Sequence, residues 1–155
     1  MRYAARTLGV AIVSAGATIA VALLSANRLA DAPIRGKLAG PDLIGSLASL
    51  AALAIGLIAF LWLGASIARD ARTARPAVVA GALGGALTGL TGGVAQSFAL
   101  SDYLGAVLAG YAVPPEFLTV ALGTYVLIAT VGAAAIGGAI TYAGWHRSRR
   151  DQASR

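Results

Sequence analysis

Four runs of residues without a single charged side chain divide this sequence: Thr7–Asn27, Leu43–Ala68, Pro76–Ser101 and Phe117–Trp145. Each is long enough to cross about 30 Å of hydrocarbon as a helix, which takes roughly 20 residues. The pattern predicts four transmembrane helices over about 8–26, 43–66, 77–99 and 117–142, followed by a basic tail at 146–155. The expected fold is an all-α membrane protein, one domain over 1–155, with four helices in an up-down bundle.

The ends of the runs carry helix signals. The second begins at Gly40-Pro41-Asp42, where Asp42 suits a helix N-terminus by capping and by charge. Its stripe of Leu43, Leu47, Leu50, Leu57 and Leu61 leads to Trp62, an interface anchor, and Arg69 ends it. The fourth begins at Pro114-Pro115-Glu116, with proline and an acid both favoured in a first turn. It finishes at Tyr142 and Trp145, an aromatic belt before the basic tail. The Pro-acid-apolar starts at Pro41 and Pro115 lie 74 residues apart. Two explanations stand: a decayed duplication of a two-helix unit, or the plain need of any four-span chain for two capped hairpins.

Between the third and fourth runs, Ser101-Asp102 reads as a helix N-cap followed by Tyr103, Leu104, Val107, Leu108 and Tyr111 at helical spacing. This predicts a short helix on the membrane surface anchored by Tyr103 and Tyr111; a re-entrant element is the alternative.

The third run carries the sharpest local pattern. Gly81, Gly85, Gly89 and Gly93 recur every fourth residue. At 100° per residue they drift only about 40° per step, so all four lie within an arc of about 120°. Leu83, Leu87, Leu90 and Val94 cluster on the opposite side. Lipid tails are as apolar as leucine, so helices associate in a bilayer by close packing, and glycine permits close approach of two backbones. Candidate partners are the fourth span, through Ala133, Gly137 and Thr141, or a second copy of the chain. Gln96 projects into the same arc and predicts an interhelical hydrogen bond, with Thr88, Thr91, Thr124, Tyr125 or Thr130 as acceptor or donor; contact with a substrate or ion is the sharper alternative.

Composition strengthens the membrane reading: mean hydropathy is +0.79, with 58% hydrophobic and 12% charged residues. Soluble chains carry about 25% charged residues. A net charge of +6 invites a nucleic-acid reading, yet all twelve basic residues lie outside the apolar runs, where topology alone places them. Arg2, Arg6, Arg69, Arg72, Arg75, Arg147, Arg149, Arg150 and Arg155 fall on one side of a four-span chain; Arg28, Arg35 and Lys37 fall on the other. The positive-inside rule then puts both termini in the cytoplasm and the chain in the inner membrane as a multi-pass protein. Arg2, Arg6, the apolar stretch from Leu8 and Ala20-Val21-Ala22 also mimic a cleavable signal peptide, although the apolar run continues through Leu23 and Leu24 beyond the cut.

The chemistry of sites is sparse. With no cysteine, disulfides and thiolate-bound metals are excluded. No Asp, Glu, His, Lys or Arg lies between the ends of any span, whereas proton-coupled transporters place such groups there. Small four-span multidrug transporters rely on a membrane-embedded glutamate, and this chain is similar to them in helix count only. His146 is the single histidine, too few for a His-rich metal site, and Asp102 and Glu116 serve as helix caps more readily than as a catalytic pair. No phosphate-cradling loop, nucleophile elbow or zinc-protease motif occurs. The basic tail suits anionic lipid as well as topology. The sequence therefore predicts a non-enzymatic membrane protein without cofactor, metal or nucleic acid. Its partners are the lipid bilayer and a membrane protein or further copies of itself, and its role is structural, assembly-related or regulatory. A passive channel or transporter for a small neutral or apolar solute is the alternative, and a membrane-bound enzyme ranks last.

Overall fold

The computed structural model describes residues 3–30 and 43–154. They form four helices, α1 (Ala4–Ala30), α2 (Leu43–Ala68), α3 (Arg75–Gly110) and α4 (Glu116–Ala153). All four are long and apolar enough to cross a membrane. The first connection, with the cap expected at Gly40-Pro41-Asp42 and the basic residues Arg35 and Lys37, lies outside the described residues, as do Arg2 and Arg155.

Inside the helices, serine and threonine hydroxyls donate to carbonyls of the preceding turn. Examples are Thr18 to Ser14 (3.0 Å), Thr88 to Gly84 (2.9 Å), Ser97 to Gly93 (2.9 Å) and Thr130 to Val126 (2.7 Å). Each hydroxyl is thereby satisfied without water or a neighbouring helix, which an apolar solvent demands.

Side-chain neighbours fix the directions. Arg6 near the start of α1 meets Asp70 just past α2, and Ser14 faces Gly56, so α1 and α2 run antiparallel. Thr7 faces Gly84 and Thr18 faces Gly92, so α1 and α3 run parallel. Gly81 opposes Gly137 and Gly89 opposes Ala129, which makes α3 and α4 antiparallel; Phe60 against Gly137, and Trp145 reaching Ala71 just past α2, make α2 and α4 parallel. Among the described residues α1 does not touch α4, and α2 barely meets α3. The circuit is therefore α1–α3–α4–α2. The hairpin α1–α2 lies beside α3–α4, like against like. A two-fold axis along the helices would instead set α1 diagonally across from α3, so the 74-residue spacing has no such symmetry behind it.

Packing inverts the soluble arrangement. The buried residues of α3 are Ala77, Ala80, Gly81, Gly84, Gly85, Gly89, Gly92 and Gly93, while Leu83, Leu87, Leu90 and Val94 face outward. Large side chains enter the interior mainly at one level, where Val10, Phe60, Leu63 and Ile67 cluster with Ala71, Ala77 and Ala80 beside the arginine-rich end. Small residues inside and leucine outside suit a lipid solvent, because association there rests on close contact rather than on removing apolar surface from water.

Two elements differ from the sequence expectation. The separate surface helix after Ser101 is absent: α3 runs unbroken to Gly110. The Ser101 hydroxyl, expected to cap a new helix, donates back to the Phe98 carbonyl at 2.9 Å, and no proline lies between Pro76 and Pro114. The tail is likewise helical, since α4 continues through Arg147, Arg149 and Arg150 to Ala153; arginine, glutamine and alanine are good helix formers, and cations favour a helix C-terminus. At 1.5 Å per residue α3 and α4 are about 54 and 57 Å long, well beyond a hydrocarbon layer of about 30 Å.

The turn after α3 closes with the Val113 N–H donating to the Leu108 carbonyl (3.1 Å) and the Ala112 N–H to the Ala109 carbonyl (3.2 Å). That pair is the Schellman arrangement, whose outer residue adopts a left-handed conformation normally given to glycine. Here Ala112 takes it, at φ 53°.

Candidate functional site: the glycine contacts and the arginine-rich end

The closest contacts lie where glycine meets backbone. A Cβ added at Gly85 would collide with the Ala133 carbonyl and come within 3.1 Å of the Ala134 Cα. At Gly89 it would strike the Ala129 carbonyl and lie 2.8 Å from the Thr130 Cα, and at Gly81 it would strike the Gly137 carbonyl and the Thr141 side chain. Gly93 is looser, with Ala129 Cβ and Val126 Cα at 3.3 Å from that position. The structure thus brings Gly81, Gly85, Gly89 and Gly93 together with Ala133, Gly137 and Thr141 of α4. It also leaves the glycine arc covered within one chain, so this face is not free to meet a second copy.

Four further glycines sit at helix contacts that the repeat did not reveal. A Cβ added at Gly84 would lie 3.2 Å from Phe60 Cε1 of α2 and 3.5 Å from Thr7 Cγ2 of α1, and one at Gly92 would lie 2.9 Å from Thr18 Oγ1 of α1. Gly64 and Gly144 close α2 onto α4: a Cβ at Gly64 would strike the Thr141 carbonyl and one at Gly144 the Leu61 carbonyl. The doublets Gly84-Gly85 and Gly92-Gly93 held a clue. Adjacent helical residues point about 100° apart, so each doublet opens two faces at once.

Gln96 does not fill its expected part. It is half-buried and makes no side-chain hydrogen bond to a described residue. The hydroxyls of Thr88, Thr91 and Thr130 are each engaged with their own helix, and Thr124 and Tyr125 are exposed. Among the described residues two other hydroxyls are buried without a partner, Ser14 Oγ and Thr141 Oγ1.

At the arginine-rich end, the turn between α2 and α3 is held from two sides. Arg6 donates through Nη1 to Asp70 Oδ2 at 2.9 Å and to the Ser66 carbonyl at 3.3 Å. The Trp145 indole N–H donates to the Ala71 carbonyl at 3.3 Å. Tyr142 stacks on Trp145 (centroids 6.3 Å apart) and on His146 (5.8 Å), so the histidine sits in an aromatic stack. Trp62 is 58% exposed beside α1, and Arg69, Arg72, Arg75, Arg147 and Arg150 are exposed, with Arg149 partly covered. At the opposite end Tyr103 lies half-buried within α3, Tyr111 is exposed at its C-cap, and Asp102 and Glu116 are both exposed. Among the described residues, no three His, Cys, Asp or Glu side chains gather as a metal would require.

No family model matches the chain, and neither the curated proteins nor the solved structures hold a detectable relative. The class is therefore defined by the fold alone. It is a small all-helical chain with four candidate membrane spans, joined through glycine, of the form that a multi-pass integral membrane protein takes.

Proposed function

We propose that this chain is a non-enzymatic inner-membrane protein with a structural, assembly or regulatory role in a membrane complex. Both termini lie in the cytoplasm, and its four spans form an up-down bundle drawn together by a glycine zipper. The observation that carries this reading is how the contacts are distributed. Glycines 81, 85, 89, 64 and 144 are used inside the chain to press backbones together, while leucine, isoleucine and valine cover the outside of every helix. A unit that completes its own close packing and presents a broad apolar coat is suited to lie against lipid and other membrane helices. Conduction by a single copy is disfavoured by the same contacts, since α3 and α4 touch backbone to backbone along the glycine arc. Gln96, Trp62, Trp145, Tyr103 and Tyr111 serve as packing and interface residues in this reading.

The test is affinity purification from mild detergent. A defined membrane-protein partner in constant ratio to the chain is the expected result, and recovery of the chain alone at every detergent concentration refutes it. Reporter tags at the two ends give the topology: both should report the cytoplasm.

A further inference from the structure

Between α1 and α2, on the arginine-rich half of the molecule, runs an open groove of about 610 Å³. Gly9 and Val13 form one wall; Ile55, Ile58 and Trp62 form the other. These wall residues are exposed: Val13 is 55%, Ile58 67% and Trp62 58% accessible. Farther along, Ser14 facing Gly56 brings the two helices together and closes the deep end. From Arg6 to Val13 the wall extends about 10 Å along the helix. One leaflet of hydrocarbon is about 15 Å deep, half of the whole core.

The single charged residue on the groove is Arg6, at its mouth. Its Nη1 is tied to Asp70 and Ser66, which fixes the position of the guanidinium. Nε and Nη2 have no partner among the described residues, and the side chain is 42% exposed. A guanidinium has five N–H donors, so most of this one's capacity stays open, and its fork suits phosphate. Around it, Arg6–Asp70 is the one salt bridge among the described residues. Arg69, Arg72, Arg75, Arg147, Arg149 and Arg150 are left with Asp151 as the other carboxylate at this end.

We infer that the groove is a binding site for one anionic phospholipid, with an acyl chain along Gly9, Val13, Ile55 and Ile58 and the phosphate on the open edge of Arg6. Trp62 stands beside the headgroup, at the depth where indoles settle in membranes. The inference rests on the helices being membrane spans with the arginine-rich end at a lipid surface. It does not depend on which protein, if any, the chain assembles with.

The purified full chain is reconstituted into vesicles of equal phosphatidylcholine and phosphatidylglycerol, extracted in mild detergent, and its retained lipid identified by mass spectrometry. Retained phosphatidylglycerol should exceed phosphatidylcholine about fivefold, the ratio one basic residue near an anionic surface supplies. Arg6→Gln should bring the ratio near unity while lipid is still retained. Asp70→Asn, which removes the salt bridge but keeps Arg6, should preserve or raise the preference, separating lost lipid contact from lost ion pair. Gly9→Leu should abolish retention of either lipid, because space at Gly9 is open and the new side chain fills the groove without touching the packed interior. An unchanged ratio in Arg6→Gln, or an equal drop in Arg149→Gln, overturns the site in favour of diffuse charge attraction. Lipid retained by Gly9→Leu overturns the groove as its seat. A chain that does not enter vesicles at all overturns the membrane reading together with this one, whereas failure to capture a protein partner touches only the assembly role.

Discussion

Near the arginine-rich end of α2, Leu63 and Ile67 are completely enclosed, whereas Leu43, Leu47, Leu50 and Leu53 at the other end of the same helix are all more than half exposed. The residue types are alike and so is the helix; what differs is the neighbour. Gly64 and Gly144 let the backbones of α2 and α4 come together around Leu63, and no glycine of α4 does so for the first turns of α2. The α3–α4 pair repeats the contrast. Contact is backbone to backbone at Gly81, Gly85 and Gly89, relaxes at Gly93, and opens beyond it into a groove of about 420 Å³ between Phe98 and Leu122. In an apolar solvent leucine content does not decide what is buried. Small residues on the opposing helix decide it.

Gly85→Leu should break this arrangement most severely. Its side chain would occupy the position of the Ala133 backbone, so α3 and α4 must separate, at a cost above the roughly 3 kcal/mol that ends the usual overpacking range. Size-exclusion chromatography in detergent should show loss of the folded species, while Gly123→Leu, where space is open, should elute as the parent does. Equal behaviour of the two would remove the glycine contact as the reason for the compact half.

Leu63→Ala comes next. In water such a truncation costs about 2–5 kcal/mol, but lipid removes most of the transfer term and leaves lost packing, so about 2 kcal/mol is expected. Unfolding in mixed micelles should register it, with Leu53→Ala close to zero. Thr141→Val should act in the opposite sense, raising stability by about 1 kcal/mol, because the buried hydroxyl it replaces has no partner. The smallest change belongs to the opposite end. Ala112→Gly relieves a left-handed alanine and should stabilise the turn by up to about 1 kcal/mol, read as a small rise in midpoint in the same micelle titration.

Helix number was legible because charge is excluded from hydrocarbon, a constraint that acts on each run separately. The arc of four glycines was legible for the same reason, as a property of one helix. Helix order was not. A flat face announces that something lies close to it without naming the partner, and the circuit α1–α3–α4–α2 depends on Gly84, Gly92, Gly64 and Gly144, which lie outside the ladder of four. Ser101 misled because a serine that caps a helix and one that bonds to its own preceding turn look alike in sequence. The bond expected at Gln96 is not made, since Thr88, Thr91 and Thr130 bond within their own helix and Thr124 and Tyr125 are exposed. The Arg6–Asp70 pair lay beyond reach, since nothing in two residues 64 positions apart signals their meeting.

The circuit also imposes a timetable. α4 is the last of the four helices to leave the ribosome, yet it supplies the surfaces against which Gly81, Gly85, Gly89 and Gly64 rest. At about 5–20 residues per second its 38 residues take several seconds to emerge. Until then Gly64, Gly81, Gly85 and Gly89 lack the backbone they rest against, and a ribosome stalled before Glu116 would leave them bare.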